Sequence, residues 1–452
     1  MDVVNPATGR SCARSPEASK GQLNDAVAAA LRAQPAWEAT PLVERRACLR
    51  KLADVLRDNV DEIAALVTLE QGRPIARARD EVTRSAALLE AVIAIDIGNE
   101  ILRDDSRGRV VVHHRALGVI GAIAPWNVPI GLAVPKITHA LYTGNTIVLK
   151  PSPYTPLATL RLGQLARDIF PAGVLNILSG GNEIGALMSA HPDVAKISIT
   201  GSVATGKRVM ASAAGTLKRL TLELGGNDAA IVRADADIDR IAPQLFAAAF
   251  VNSGQVCMAI KRLYVHASLH DQLCAALTAL ARQAIVGDGF NESVQLGPVQ
   301  NAVQFESVER VLAETRAQPG ASILAGGRAM TRDGYFIQPT IVAGLHEGAA
   351  LVDEETFGPV LPVLSFETDD EAVARANAGK LGLAASVWTA DLHQAERLAR
   401  RLVAGTVWIN RHVGVDPEVP FGGAKESGIG QQFGRAGLLD CMQSTAVYVP
   451  AG

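Results

Sequence analysis

This sequence points to an α/β protein built from two open-sheet domains. Three observations carry that reading. Its 452 residues exceed what one hydrophobic core usually supports. From Gly118 onward, short β-branched runs alternate with Ala-rich stretches of helical character, and the alternation starts afresh at Arg262. Such a pattern means βαβ units around mainly parallel sheets.

The elements follow along the chain. From about Asn24 to Ala94, apolar residues recur three and four apart with charges between them, as in Leu49, Leu52, Val55 and Leu56, then Ile63, Leu66 and Val67. That spacing predicts a helical layer. Residues 99–117 are polar around the run Val110–His114 and are expected to form an extended arm. The runs VIGAIA, TIVLK, VLNILSG, KISIT and LTLEL read as strands of a first sheet. RLYVH, SILAGG, VLPVLSF, AASVWT and GTVWIN read as strands of a second, with helices near 268–285, 369–378 and 391–402. The tail ends in STAVYVP, an apolar strand that would be a sticky edge if unpaired, so it is expected to be covered, for instance by a second subunit.

Composition excludes several classes. Lys plus Arg number 43 against 46 for Asp plus Glu, a net charge of −3, which argues against a nucleic-acid partner. A chain that is 48% hydrophobic and 20% charged is not extensively disordered. The five cysteines, Cys12, Cys48, Cys257, Cys274 and Cys441, are odd in number and never form CxxC. They describe neither a disulfide framework nor a zinc site, so no metal is expected and a reduced, cytoplasmic setting is. The start, MDVVNPATGR, carries a turn and no apolar run, so no secretory leader is expected. The longest uncharged stretch, residues 116–135, contains three prolines and suits a buried strand and turn, so no membrane span is expected either.

Cys257, in VNSGQVC, is the first candidate for chemistry. A cysteine is more often a small buried hydrophobe than a nucleophile. This one follows Ser-Gly, which permits close backbone approach, and precedes a strand, so the thiol is expected where the two domains meet. His266 lies at the end of that strand, and no Cys–His pair is evident. The candidate base is Glu223 in LELGGN, a carboxylate inside an apolar strand. Burial raises such a carboxyl toward the range of a general base at neutral pH. An edge-strand Glu facing solvent is the competing reading. Asn127, boxed by prolines in APWNVP, offers an amide to a developing oxyanion, although a structural Asx-turn uses the same residues. The strand KISIT runs into Gly201-Ser202-Val203-Ala204-Thr205-Gly206, a strand, glycine turn and helix start suited to a pyrophosphate, yet common without a ligand. Lys150, before Pro151-Ser152-Pro153, is placed to reach a ribose or phosphate, or else is a solvated strand end.

Taken together, PWNVP, LKPSPYTP, ITGSVATG, LELGGN, SGQVC, EETFGP and PFGG resemble the NAD(P)-dependent aldehyde dehydrogenase superfamily, in the family's order and over nearly the whole chain. The resemblance implies two Rossmann-like open-sheet domains, cofactor-binding and catalytic, plus a small β oligomerisation arm. It assigns residues 1–98 and 118–229 to the first, 230–429 to the second, and 99–117 with 430–452 to the arm and tail. It implies that the Cys257 thiolate attacks an aldehyde carbon while the Asn127 amide and the Cys257 N–H hold the oxyanion. Hydride passes to the nicotinamide, and Glu223 then activates the water that hydrolyses the thioester. Lys150 and Glu355 would meet the riboses, with Ser152 beside Lys150, and Phe357 would pack on the nicotinamide side. Trp126, Gly201 and Ser202 would line the adenosine and pyrophosphate, and Leu224 would meet the carboxamide through its backbone. A homodimer or homotetramer is implied.

The departures shape the expectations. The position that often carries a ribose-binding Glu, three after the motif lysine, is Pro153, so NAD is favoured with NADP left open. GGN stands where GGK is more usual. Two tunnel positions that are often aromatic are Val128 and Pro135, apolar Val256 and Met258 flank the nucleophile, and Arg411 and His412 are expected near the tunnel mouth. An uncharged, hydrophobic aldehyde is the expected substrate. Arg411 leaves room for an acidic one, and scarce aromatics disfavour a trimethylammonium group. The rivals are a CoA-acylating relative, a hydrolase using Cys257 alone, and a non-catalytic binding protein on the same fold.

Overall fold

The computed structural model describes residues 1–451. Four helices, Lys20–Ala39, Leu42–Asp58, Val60–Gln71 and Ile75–Ala94, form the N-terminal layer. The first starts at Ser19, whose side chain accepts from the Gln22 N–H while the Gln22 side chain returns the bond, a capping box. Leu49, Leu52, Leu56, Ile63, Val67, Val82 and Leu89 project from the layer onto the helix Pro129–Tyr142 and the sheet beneath.

That sheet has six strands, in the order Gly428–Ile429, Arg219–Glu223, Lys196–Thr200, Val119–Ile123, Thr146–Lys150, Leu175–Ile177. All pair in parallel except Gly428–Ile429. Strand alternation divides its residues between two cores. Ile147 and Leu149 face the helical layer, whereas Val148, Ile197, Ile199 and Leu222 pack on the opposite side with Leu23, Val27, Ile184 and Met188.

The second sheet has seven strands, ordered Ser322–Ala325, Thr340–Ala343, Val360–Phe366, Ile260–His266, Asp228–Val232, Ala384–Trp388, Thr406–Ile409, and is parallel except for Ser322–Ala325. Asp228–Val232 and Thr340–Ala343 escape the sequence reading, because an apolar run of four or five residues is ambiguous without its neighbours. Asp228–Val232 already belongs to the second sheet, so the chain crosses between sheets at residues 224–227, just before the expected boundary at 229/230. Gly428–Ile429 crosses back to lie against Arg219–Glu223.

The arm is a three-stranded antiparallel sheet of Glu100–Asp105, Gly108–Ala116 and the tail strand Met442–Val449. The tail strand pairs along its length with the chain's own Gly108–Ala116, so one edge is covered within the subunit and the other stays open. No helix among the described residues is long and apolar enough to cross a membrane, and among them no group of three His, Cys, Asp or Glu is placed to hold a metal.

Candidate active site

Strands Val119–Ile123, Thr146–Lys150, Lys196–Thr200 and Arg219–Glu223 end side by side, and the loops at these carboxyl ends carry the candidate residues. This is where open parallel sheets bind ligands. Glu223 closes its strand between Thr200 on one side and Gly428 on the other, so it is not an edge residue. Alternation turns Glu223 and Thr221 to the face shared by Ser198 and Thr200, away from Leu222, Ile197 and Ile199. Lys136 of the helix Pro129–Tyr142 meets this polar stripe, donating to Ser198 Oγ at 3.3 Å and Thr200 Oγ1 at 3.0 Å. Glu223 is 4% exposed and its Oε1 has no hydrogen-bond partner. Burial pushes its carboxyl up to about 8, against the pull of the Lys136 ammonium. Burial brings Lys136 itself down to about 8.

Gly225 and Gly226 follow Glu223 because side chains do not fit there. A Cβ added at Gly226 would lie 2.5 Å from the carbonyl oxygen of Cys257. The chain leaving Glu223 is thus in contact with the nucleophile candidate, and the two share one site. The loop into Cys257 holds Asn252, Ser253 and Gly254 at φ of +52°, +56° and +76°. The left-handed region costs about 1–3 kcal/mol for each non-glycine, so surrounding bonds must hold it. Ser253 Oγ donates to Gly297 O at 2.7 Å, and Gln255 Nε2 donates to Asn252 O at 2.9 Å and Pro298 O at 3.2 Å. Gly254 lies against the Gly358 carbonyl, which draws the EETFGP segment to the same loop.

Cys257 is partly buried, and burial pushes its thiol up to about 12. Lys261 acts against that shift, while Glu355, Glu223 and Asp228 add to it. Asn127 is buried and donates from Nδ2 to Gln255 O at 2.9 Å, across to the nucleophile loop rather than within an Asx-turn. Its own carbonyl accepts from Arg73 at 3.0 Å and from Asn252 Nδ2 at 3.0 Å. Arg73 is paired with Glu81, which also accepts the N–H groups of Ile130 and Gly131 at 2.9 Å each, in the first turn of the following helix. His266 turns away to Ser268 and Phe366, so it does not pair with Cys257.

The residues expected at a dinucleotide lie around the same edge. Lys150 is buried at its strand end, donates to Pro151 O at 3.2 Å, and is brought down to about 8 by burial. It is not a solvated strand end. Ser152 Oγ accepts from the Tyr154 N–H at 3.2 Å. Ser202 caps the helix Val203–Ala213 by accepting from Thr205 N–H at 3.2 Å, and Gly201 N–H donates to Glu223 O at 3.0 Å. Leu224 donates its N–H to Ser427 O at 2.9 Å and packs on Gly206. Trp126 and Phe357 meet edge to face with centroids 5.4 Å apart. Glu355 accepts from Gly226 N–H at 3.0 Å and lies 3.8 Å from Lys261 Nζ, and its carboxyl is raised by burial.

Two of the expected tunnel residues, His412 and Pro135, are buried. His412 is buried, with ring nitrogens 2.7 Å from Ser386 Oγ and 3.1 Å from Met258 O. Asn410, two residues earlier, is held in the left-handed region at φ +52°. Burial takes the His412 ring down to about 3, so it is neutral. Pro135 is buried in its helix, its carbonyl 2.6 Å from His139 Nδ1. Gly131 and Leu132 are the partly exposed residues of that helix. Val128 and Met258 are partly buried, Val256 is buried and Arg411 is exposed. Val415, which the sequence reading passed over, packs in the cluster that includes Cys257 and Met258. Also missed are Arg73, Glu81, Lys136 and Lys261. Each resembles an ordinary surface charge of a helix, strand or connecting loop, and only its burial betrays it.

A thiol, a rigid amide donor and a buried carboxylate therefore converge where two open sheets meet, an arrangement suited to covalent chemistry at a carbonyl. The chain matches the aldehyde dehydrogenase family over residues 1–447. It is 40% identical over 448 residues to an aldehyde dehydrogenase of a Fusarium species, covering 99% of this chain and 95% of that one. The crystal structure of lactaldehyde dehydrogenase from Escherichia coli superposes with a TM-score of 0.96 at 36% identity, covering 99% of this chain and 95% of the other. Betaine aldehyde dehydrogenase from Staphylococcus aureus, solved in complex with NAD+, has a TM-score of 0.96 at 32% identity, covering 100% and 92%. The converging thiol, amide and carboxylate lie on a fold and a sequence that agree from end to end with these enzymes, and the chain belongs to the aldehyde dehydrogenase family.

Proposed function

We propose that this protein oxidises an uncharged, hydrophobic aldehyde to its carboxylic acid with NAD(P) as acceptor, using Cys257 as nucleophile and Glu223 as the hydrolytic base. The carrying observation is the contact between Gly226, three residues past Glu223, and the Cys257 backbone. The Cys257 sulfur adds to the aldehyde carbon. The free N–H of the Asn127 amide and the Cys257 N–H donate to the resulting oxyanion, a contribution of about 3–4 kcal/mol for a single well-placed donor. A bound NAD(P) supplies the hydride acceptor. Glu223 then takes a proton from water as that water attacks the thioester carbonyl, which releases the acid and returns the sulfur.

The six-stranded domain supplies a fitting dinucleotide cradle. The Val203–Ala213 helix start with its Ser202 cap suits a pyrophosphate, buried Lys150 suits a ribose, and Glu355 and Phe357 stand at the Cys257 side. Pro153 puts no carboxylate beside Lys150, which leaves NAD favoured with NADP admissible. Val128, Leu132, Met258 and Val415 are partly exposed and aliphatic or thioether, and Met258 and Val415 pack in the same cluster as Cys257, which supports an apolar substrate; an aromatic content of 4% disfavours a trimethylammonium group. The open edge of Met442–Val449 supports assembly into a homodimer or homotetramer.

Aldehyde panels with NAD and NADP in parallel test the proposal. One acid is expected per nicotinamide reduced, with no CoA present. Product that appears only when CoA is supplied, or ester turnover without nicotinamide reduction, would overturn it. A second expectation concerns packing. Gly226→Ala forces a methyl group into the Cys257 carbonyl and should cost about 10²-fold in kcat, the effect of a misplacement near 1 Å. Steady-state kinetics alongside a thermal melt check this, and unchanged turnover would mean the contact is slack.

A further inference from the structure

Lys261 is buried next to the nucleophile. It follows Ile260 at the start of the strand Ile260–His266, and its Nζ donates to Val256 O at 2.8 Å and Cys257 O at 2.7 Å. The same ammonium stands 3.8 Å from Glu355 Oε1 and 5.8 Å from the centroid of the Phe357 ring. One cation thus binds the backbone of the nucleophile and stands near both Glu355, read as meeting a ribose, and Phe357, read as packing on the nicotinamide side. Burying an ammonium costs several kcal/mol unless its partners are well placed, and a neutral donor would tie two carbonyls more cheaply. The charge itself is the distinguishing feature.

We propose that Lys261 is a positioning residue that locks the Cys257 loop against the Glu355–Phe357 segment and stabilises negative charge on the Cys257 sulfur. This rests on the reading of Cys257 as the nucleophile. The charged and titratable groups facing this point are Glu355, Asp228 on the neighbouring strand, Glu223 across the Gly225-Gly226 turn, neutral His412, and Arg262, which is engaged by Asn227 O. The three carboxyl groups oppose a thiolate, and Lys261 is the group that opposes them at the thiol. When the thiol ionises, its proton passes to solvent and the sulfur charge is left in the field of this ammonium.

The test is the pH dependence of Cys257 alkylation by iodoacetamide, in which a C–S bond forms and iodide leaves. It is read by mass spectrometry on the Cys257 peptide, so that the exposed Cys12 does not contribute. Lys261→Met and Lys261→Gln should both shift the profile upward by about one pH unit, slowing alkylation near neutral pH about tenfold, because the thiolate is the reactive form. Lys261→Arg should restore the rate to within about twofold, since it returns the charge. Lys261→Gln keeps a donor for the two carbonyls, so a purely structural role would leave its profile like wild type. That outcome, or a Lys261→Met profile unchanged in a folded protein, overturns the proposal. Alkylation needs no turnover, so failure of the reading of Cys257 as nucleophile would appear separately, as oxidation that survives loss of Cys257.

Discussion

Cys257→Ser is expected to lower aldehyde oxidation by at least about 10³-fold, equivalent to about 4 kcal/mol in the barrier. A hydroxyl is a far weaker nucleophile at neutral pH than a thiol with even a small thiolate fraction, and His266 turns away from this position rather than activating one. Cofactor binding should persist, because Lys150, Ser202 and the Trp126–Phe357 pair do not depend on the sulfur. Absorbance of the reduced nicotinamide measures the first effect and titration calorimetry the second. Retained oxidation in the variant would remove Cys257 from the mechanism.

Glu223→Gln should separate the two halves of the reaction. Hydride transfer precedes the need for a base, so one reduced nicotinamide per active site is expected in a rapid burst. Steady-state turnover should then fall by about 10²–10⁴-fold, the usual contribution of a positioned general base. The wild-type protein should show hydrolysis rising with pH through about 8. Below that value the Glu223 carboxyl holds its proton and cannot take one from water, and above it the carboxylate accepts. The variant should lose this rise. Stopped-flow burst amplitudes and pH–rate profiles decide the matter, and equal steady-state rates in the two proteins would place the base elsewhere. The amide offers a packing-neutral replacement, since Glu223 Oε1 has no hydrogen-bond partner to lose.

Much of this architecture is legible along the chain. The strand runs from VIGAIA to GTVWIN and the helical spacing of residues 24–94 are local signals, and they appear as strands and helices close to where the pattern places them. Glycine is legible for the same reason. Gly254, in the Ser-Gly before Cys257, marks a point of close backbone approach, and the structure puts the Gly358 carbonyl there; the contact of Gly226 with the Cys257 carbonyl appears only in the structure. The short strand Asp228–Val232 was not legible, because an acidic residue opens it and its identity comes from parallel neighbours on both sides.

The site divides in the same way. Cys257, Glu223 and Asn127 could be picked out because each stands in an unusual local setting: after Ser-Gly, inside an apolar strand, and between prolines. Their surroundings could not. Glu81 and Arg73 brace Asn127 from the helical layer, the Lys136 ammonium acts on the Glu223 carboxyl across the helix–sheet face, Lys261 faces Glu355, and His412 is bound to Met258 O. Such contacts join residues up to 154 positions apart, as with Met258 and His412. Periodicity and turn chemistry act over a few residues and are written in the sequence. Which charge is buried beside which is set by strand order and the crossing of two sheets, and it is this burial that moves the carboxyl and thiol away from their ordinary values.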